Sequence, residues 1–184
     1  SEFRYRDPII GPEDLVIVIS QSGETADTIA AMKLAQSRGA KVLAICNVVG
    51  STIAREADFV CYTWAGPEIS VCSTKAYVSQ LMMTYILILD IARKRGIFDD
   101  ARISAALKEL SALPEKNSDL FEHKEKIQQF ASRNYGRESV FFIGRGLDYA
   151  IAQEASLKLK EISYIHSEAL AAGELKHGTI ALLE

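Results

Sequence analysis

Two stretches of the sequence hold residue types able to do chemistry. In the first, Ser20-Gln21-Ser22-Gly23-Glu24-Thr25, three hydroxyls, an amide side chain and a glycine fall between an apolar run and the start of a helical pattern. Such a turn combines hydroxyls with the free N–H groups of a helix start, which suits an anion. It has no lysine and no Gly-x-x-x-x-Gly-Lys spacing, so it is not a nucleotide P-loop; a compact monophosphate fits it better. The same spacing also fits a plain turn whose Ser22 caps the helix. In the second stretch, Glu154, Lys158 and Glu161 form a charged helical stripe, bordered by Leu157 on one side and by Ile151 and Ile162 on the other. An acid–base pair between apolar flanks is placed to face a pocket and move protons. An ordinary i,i+4 salt bridge from Glu154 to Lys158 explains the pattern equally. Ser73 or Thr74, at the head of a long apolar helix, either caps that helix or completes the anion pocket. His177 lies beside Gly178 in a loop, where an imidazole can titrate near neutrality. His166 and His177 lack the i,i+4 spacing of a helical zinc pair, and no metal or cofactor is expected.

These residues need elements to hold them. Val16-Ile17-Val18-Ile19 reads as a buried strand of a parallel sheet, and Ile29, Met32, Leu34 and Ala35 keep helical spacing as far as Gly39. Lys41–Cys46 and Asp58–Thr63 read as two more strands, separated by a turn and a brief helix at Thr52–Glu56. Strands alternating with helices predict an α/β fold with a parallel sheet and right-handed crossovers. A helix is expected from Ser70, Ser73 or Thr74 to near Arg95, another over Asp99–Leu113 ended by Pro114, and a third over Glu115–Asn134. The region of Pro114 reads as a linker, dividing the chain into 1–113 and 114–184. Glu138–Ile143 is a further strand. It leads through Gly144-Arg145-Gly146, with Tyr149 where a dinucleotide fingerprint needs its third glycine, into a helix over Asp148–Ile162. On that helix Ile151, Ala152, Ala155, Leu159 and Ile162 share the apolar face, with Gln153, Ser156 and Lys160 on the solvated one.

Composition excludes several function classes. A formal net charge of −3 over 184 residues gives no nucleic-acid surface. The most apolar helix is free of charge only over Ala76–Leu89, too short to span a bilayer, so no membrane partner is expected. Three cysteines without a Cys-x-x-Cys pair read as reduced thiols of an intracellular protein.

Taken together and in order, Ser20-Gln21-Ser22-Gly23-Glu24-Thr25, Ala65-Gly66-Pro67-Glu68-Ile69 with Ser73-Thr74-Lys75, Leu157-Lys158-Leu159-Lys160-Glu161-Ile162 and Gly173-Glu174-Leu175-Lys176-His177-Gly178 closely resemble one family. It is glutamine–fructose-6-phosphate aminotransferase (isomerizing), in its isomerase part of two sugar isomerase (SIS) domains. The resemblance covers essentially the whole chain. It implies a three-layer αβα fold with a parallel five-stranded flavodoxin-like sheet, whose ligands sit beyond the strand carboxyl ends. It implies that Ser20, Gln21, Ser22 and Thr25 hold the sugar phosphate and that Val71 and Ser73 line the same pocket. Glu161 would move a proton between C1 and C2, Lys158 would relay protons at the neighbouring heteroatom, and His177 would assist ring opening in the partner subunit of a homodimer. A cytoplasmic enzyme of amino-sugar biosynthesis follows, needing no cofactor.

Residues 1–113 would then be a first SIS domain lacking its opening strand and helix, and 114–184 the opening part of a second, truncated one, with Ser1-Glu2 and Ser167-Glu168 at equivalent points. The family's glutaminase domain has no counterpart in the chain. Two rival classes are a non-catalytic SIS module that senses a phosphosugar and a SIS deaminase or deglycase of amino sugars. The joint presence of Glu161, Lys158 and His177 favours an enzyme over the sensor.

Overall fold

The computed structural model describes residues 2–182, and the chain divides into two compact units, Ser1–Leu113 and Pro114–Glu184. Ser1 and Leu183, on which an equivalence between copies and the end of the Ile180–Leu183 apolar run were read, lie outside the described residues.

The first unit runs α1 (Glu2–Tyr5), β1 (Leu15–Ser20), α2 (Ala26–Ser37), β2 (Lys41–Cys46), α3 (Thr52–Glu56), β3 (Phe59–Tyr62) and α4 (Thr74–Lys94), and α5 (Asp100–Ser118) begins in it. Its sheet is parallel in the order β1-β2-β3. The central β2 is buried at every position after Lys41, as expected of a parallel strand covered on both faces. One sheet face, through Val18, Val42 and Ala44, packs on Met32 and Ala35 of α2 and Ile53 of α3 to form the core. On the other face α4 packs on β2. The β-branched run of β1 is less buried than its composition suggests, because β1 is an edge strand: Ile17 and Ile19 are 45% and 47% exposed.

In the second unit, a 3-10 turn (Asp119–His123) leads into α6 (Lys124–Asn134), then β4 (Ser139–Gly144), α7 (Leu147–Ser163), β5 (His166–Ala171) and a closing 3-10 turn (Thr179–Leu182). β4 and β5 pair in parallel, and α7 packs on both.

The described strands form a parallel three-stranded sheet and a parallel two-stranded sheet, with no single five-stranded sheet among them. Alternation of strand and helix reports direction but does not say which edges join. Pro114 does not end its helix: α5 continues through it to Ser118, so the lost N–H bond and the ring's clash with the preceding turn are tolerated at this exposed position. The expected helix over Glu115–Asn134 is interrupted by the 3-10 turn at Asp119–His123. Finally, β5 occupies a stretch that the sequence left without an element. Its residues His166-Ser167-Glu168-Ala169-Leu170-Ala171 are neither β-branched nor cleanly alternating.

Candidate functional site

The hydroxyls of the first stretch lie on the turn from β1 into α2. Ser20 closes β1 and is 6% exposed; its Oγ accepts the Gly23 N–H at 3.0 Å and lies 3.3 Å from Thr25 Oγ1. Ser22 Oγ accepts the Glu24 N–H at 3.2 Å. Gly23 sits at φ +66°, in the left-handed region that glycine enters at little cost. The capping alternative fails on geometry. Thr25, not Ser22, stands at the N-cap of α2, and its side chain makes no capping bond. Hydroxyls therefore gather at a helix start that they do not themselves satisfy, which leaves N–H and O–H donors for an anion.

The turn is braced from the segment after β2. Asn47 N–H donates to Gln21 O at 3.1 Å, Ile53 N–H to Gly23 O at 3.0 Å, and Thr52 N–H to the Glu24 carboxylate at 2.7 Å. The Asn47 side chain reaches the other way: its Nδ2 donates to Gly66 O at 2.7 Å, while its Oδ1 accepts from Thr63 Oγ1 at 3.0 Å and Ala65 N–H at 2.8 Å. An open cavity of about 510 Å³ results, lined by Gln21, Asn47, Trp64, Gly66 and Glu68 among others. Neither Glu24 nor Asn47 was singled out from the sequence. The only signal for Asn47 was an Asn at a strand end, a common turn former.

Val71 and Ser73 lie on the loop between β3 and α4. Val71 is 89% exposed. Ser73 holds the N-cap of α4 at φ +49° without a capping bond, and the Glu68 carboxylate accepts the Ala76 N–H at 3.0 Å instead. A non-glycine residue in this region is strained, and such strain concentrates at functional positions.

In the second unit α7 carries the acid–base stripe. Lys158 Nζ lies 2.7 Å from Glu161 Oε2 and 3.4 Å from Glu154 Oε1, with all three side chains about a quarter exposed. Burial alone would lower the Lys158 value, but the Glu161 hydrogen bond and the Glu154 charge outweigh it and hold the ammonium above the usual lysine range. Lys158 is thus a cation at neutral pH, a hydrogen-bond donor rather than a base. His177 is exposed, on a turn where its N–H donates to Glu174 O at 2.9 Å.

The apolar face of α7 is only partly the one periodicity assigned: Ala152 is buried and Gln153 and Lys160 are exposed, as read, but three positions depart. Ser156, read as solvated, is 2% exposed, whereas Ile151 and Ile162 are 51% and 63% exposed. Ser156 Oγ meets Ser167 Oγ of β5 at 3.0 Å, and the same Ser167 hydroxyl donates to Ser156 O at 2.8 Å. A small hydroxyl goes inside when a partner satisfies it. Among the described residues no group of three or more His, Cys, Asp or Glu could hold a metal ion. No helix there is long and apolar enough to cross a membrane.

The SIS domain family matches residues 1–90 and 135–184 of the chain. The chain belongs to this family. Among SIS relatives, it is 61% identical over all 184 residues to glutamine–fructose-6-phosphate aminotransferase (isomerizing) of Caldanaerobacter subterraneus subsp. tengcongensis. It is 57% identical, again over 184 residues, to the protein of that name in Clostridium acetobutylicum. It spans 30% of the length of each of these curated relatives. Among solved SIS structures, the C-terminal domain of glucosamine-fructose-6-phosphate aminotransferase from Francisella tularensis superposes with a TM-score of 0.95 at 41% identity, covering 100% of this chain and 52% of that one.

Proposed function

We propose that this SIS chain is the phosphosugar-binding isomerase segment of a glutamine–fructose-6-phosphate aminotransferase, which makes glucosamine 6-phosphate and glutamate from fructose 6-phosphate and glutamine. The observation that carries the reading is the Lys158–Glu161 pair, 2.7 Å apart on a half-buried stripe, in a chain 61% identical to a relative of that name. A carboxylate in such a setting serves as a general base. Glu161 takes the proton from C1 of the open-chain sugar and returns it to C2; one C–H bond breaks, another forms, and the carboxylate is regenerated. The Lys158 ammonium donates to the neighbouring oxygen or nitrogen as charge develops there. Ser20, Gln21, Ser22 and Thr25 hold the phosphate, Val71 and Ser73 line its pocket, and His177 assists ring opening in the partner subunit of a homodimer.

The two matched segments, 1–90 and 135–184, support assigning 1–113 to one SIS domain and 114–184 to the next. Each parallel sheet then belongs to a three-layer αβα domain with a five-stranded flavodoxin-like sheet. Cys46, Cys61 and Cys72 are thiols rather than disulfides, which agrees with a cytoplasmic setting.

The test is Glu161→Gln in the full-length enzyme. Isomerisation should fall by at least about a hundredfold, the usual contribution of a positioned general base, while fructose 6-phosphate still binds. Unchanged turnover in E161Q removes the reading.

A further inference from the structure

Glu24 presents a problem of charge. It is an acid in the middle of a turn whose hydroxyls and amides suit an anion, and an undirected carboxylate there would repel a phosphate. Its Oε1 is instead turned onto the Thr52 N–H at 2.7 Å. That bond, with the Arg55 charge nearby, holds the Glu24 carboxyl below its usual range. Two backbone bonds run parallel to it, Ile53 N–H to Gly23 O at 3.0 Å and Asn47 N–H to Gln21 O at 3.1 Å. Beneath them Ser51, 3% exposed, packs where a Gly23 side chain would otherwise stand. The turn is thus fastened at three successive levels to residues 47–53, and Glu24 supplies the only side-chain fastening among them. On its own main chain Glu24 donates to Ser22 Oγ at 3.2 Å, so the position of Glu24 also fixes the Ser22 hydroxyl.

We propose that Glu24 is a positioning residue for phosphate binding: its side-chain oxygen pins the Ser20–Thr25 turn to Thr52 and so aims the Ser22 and Thr25 hydroxyls at the anion. This rests on the phosphosugar reading given above. The role belongs to an acceptor of the right reach, not to a negative charge. Gln keeps the acceptor and the reach, Asp keeps the charge but falls one methylene short, and Ala keeps neither.

The experiment is an NMR titration of the chain and its E24A, E24D and E24Q variants with fructose 6-phosphate, with amide exchange followed at Thr52. Losing the side-chain bond that orders the turn should weaken binding about tenfold in E24A and E24D and speed Thr52 exchange, with E24Q, which keeps the acceptor, within about twofold of the parent. Should E24A not fold, the E24D and E24Q pair decides alone. Parent-like binding in E24D, or E24Q as weak as E24D, overturns the proposal while leaving the phosphosugar reading intact, provided S20A still weakens binding. A parent chain that binds no fructose 6-phosphate overturns the phosphosugar reading, and this inference with it.

Discussion

Gly23 holds φ +66°, and a Cβ added there would lie 2.0 Å from Ser51 Oγ, so both backbone and space require glycine. Gly23→Ala should cost about 1–3 kcal/mol in denaturant unfolding, the range for a forced left-handed residue, and weaken fructose 6-phosphate binding alongside. An unchanged midpoint would show that the turn has slack. Asp58 gives a pH test at the same scale. Its carboxylate accepts from Lys41 Nζ at 2.8 Å and from Val42 N–H at 2.9 Å, and these two bonds hold its value below the usual range. A value lower in the folded than in the unfolded chain means stability that is present above the ordinary carboxylate range. It is lost as pH falls through the folded value. Asp58→Asn should therefore destabilise the chain at neutral pH and flatten its acid-side loss in a melting series; parallel profiles for the two proteins would refute this. That Ser20, Ser22 and Thr25 share one turn, and Lys158 and Glu161 one helical stripe, was legible because hydroxyl-rich turns and helical spacing are local patterns. Glu24 and Asn47 were not, because their partners lie 28 and 16 to 19 residues away and no local spacing reports such bonds.

The α7–β5 contact shows the same limit for whole elements. Helical periodicity sorts residues by type, and it placed Ser156 outside. The helix instead turns Ala152 and Ser156 inward, where Ser167 from β5 satisfies the buried hydroxyl. Ser167→Ala would remove both bonds and leave Ser156 Oγ buried without its partner, at a cost of about 1–3 kcal/mol. Ser156→Ala with Ser167→Ala removes the unsatisfied group as well, so the double variant should lose less than the sum of the singles. Strict additivity in a denaturant double-mutant cycle would mean that the two hydroxyls do not act together. Because α7 carries Lys158 and Glu161, the same contact fixes the rotation of the stripe about the helix axis, and S167A should also slow any turnover that depends on Glu161. Strands β1 to β4 and helices α2, α3, α4 and α7 were readable from apolar runs and spacing; β5 was not, since its pairing with β4 is dictated by register across α7 and not by its own residues.

On the scale of the whole molecule, sheet faces reveal what composition conceals. Nearly half the residues are hydrophobic, enough for a dense core, yet many large apolar side chains are outside. On β1, Leu15, Ile17 and Ile19 point to one face and are 45–49% exposed, while the alternate Val18 and Ser20 are buried; Phe59, in register with Leu43 on that same face, is 56% exposed. Such a face on an edge strand exposes both apolar area and unpaired backbone groups, the two ingredients of edge-to-edge association. The chain on its own is therefore expected to bind a hydrophobic dye and to associate as its concentration rises through the micromolar range. Lysine at an edge is the device that natural sheets use against this outcome. Ile17→Lys with Ile19→Lys should lower dye binding and shift sedimentation toward the monomer, leaving helix and strand content by circular dichroism unchanged, because neither side chain belongs to the core built on Val18, Met32, Val42 and Ile53. Loss of secondary structure in the double variant would mean that this exposed face contributes to folding the chain by itself.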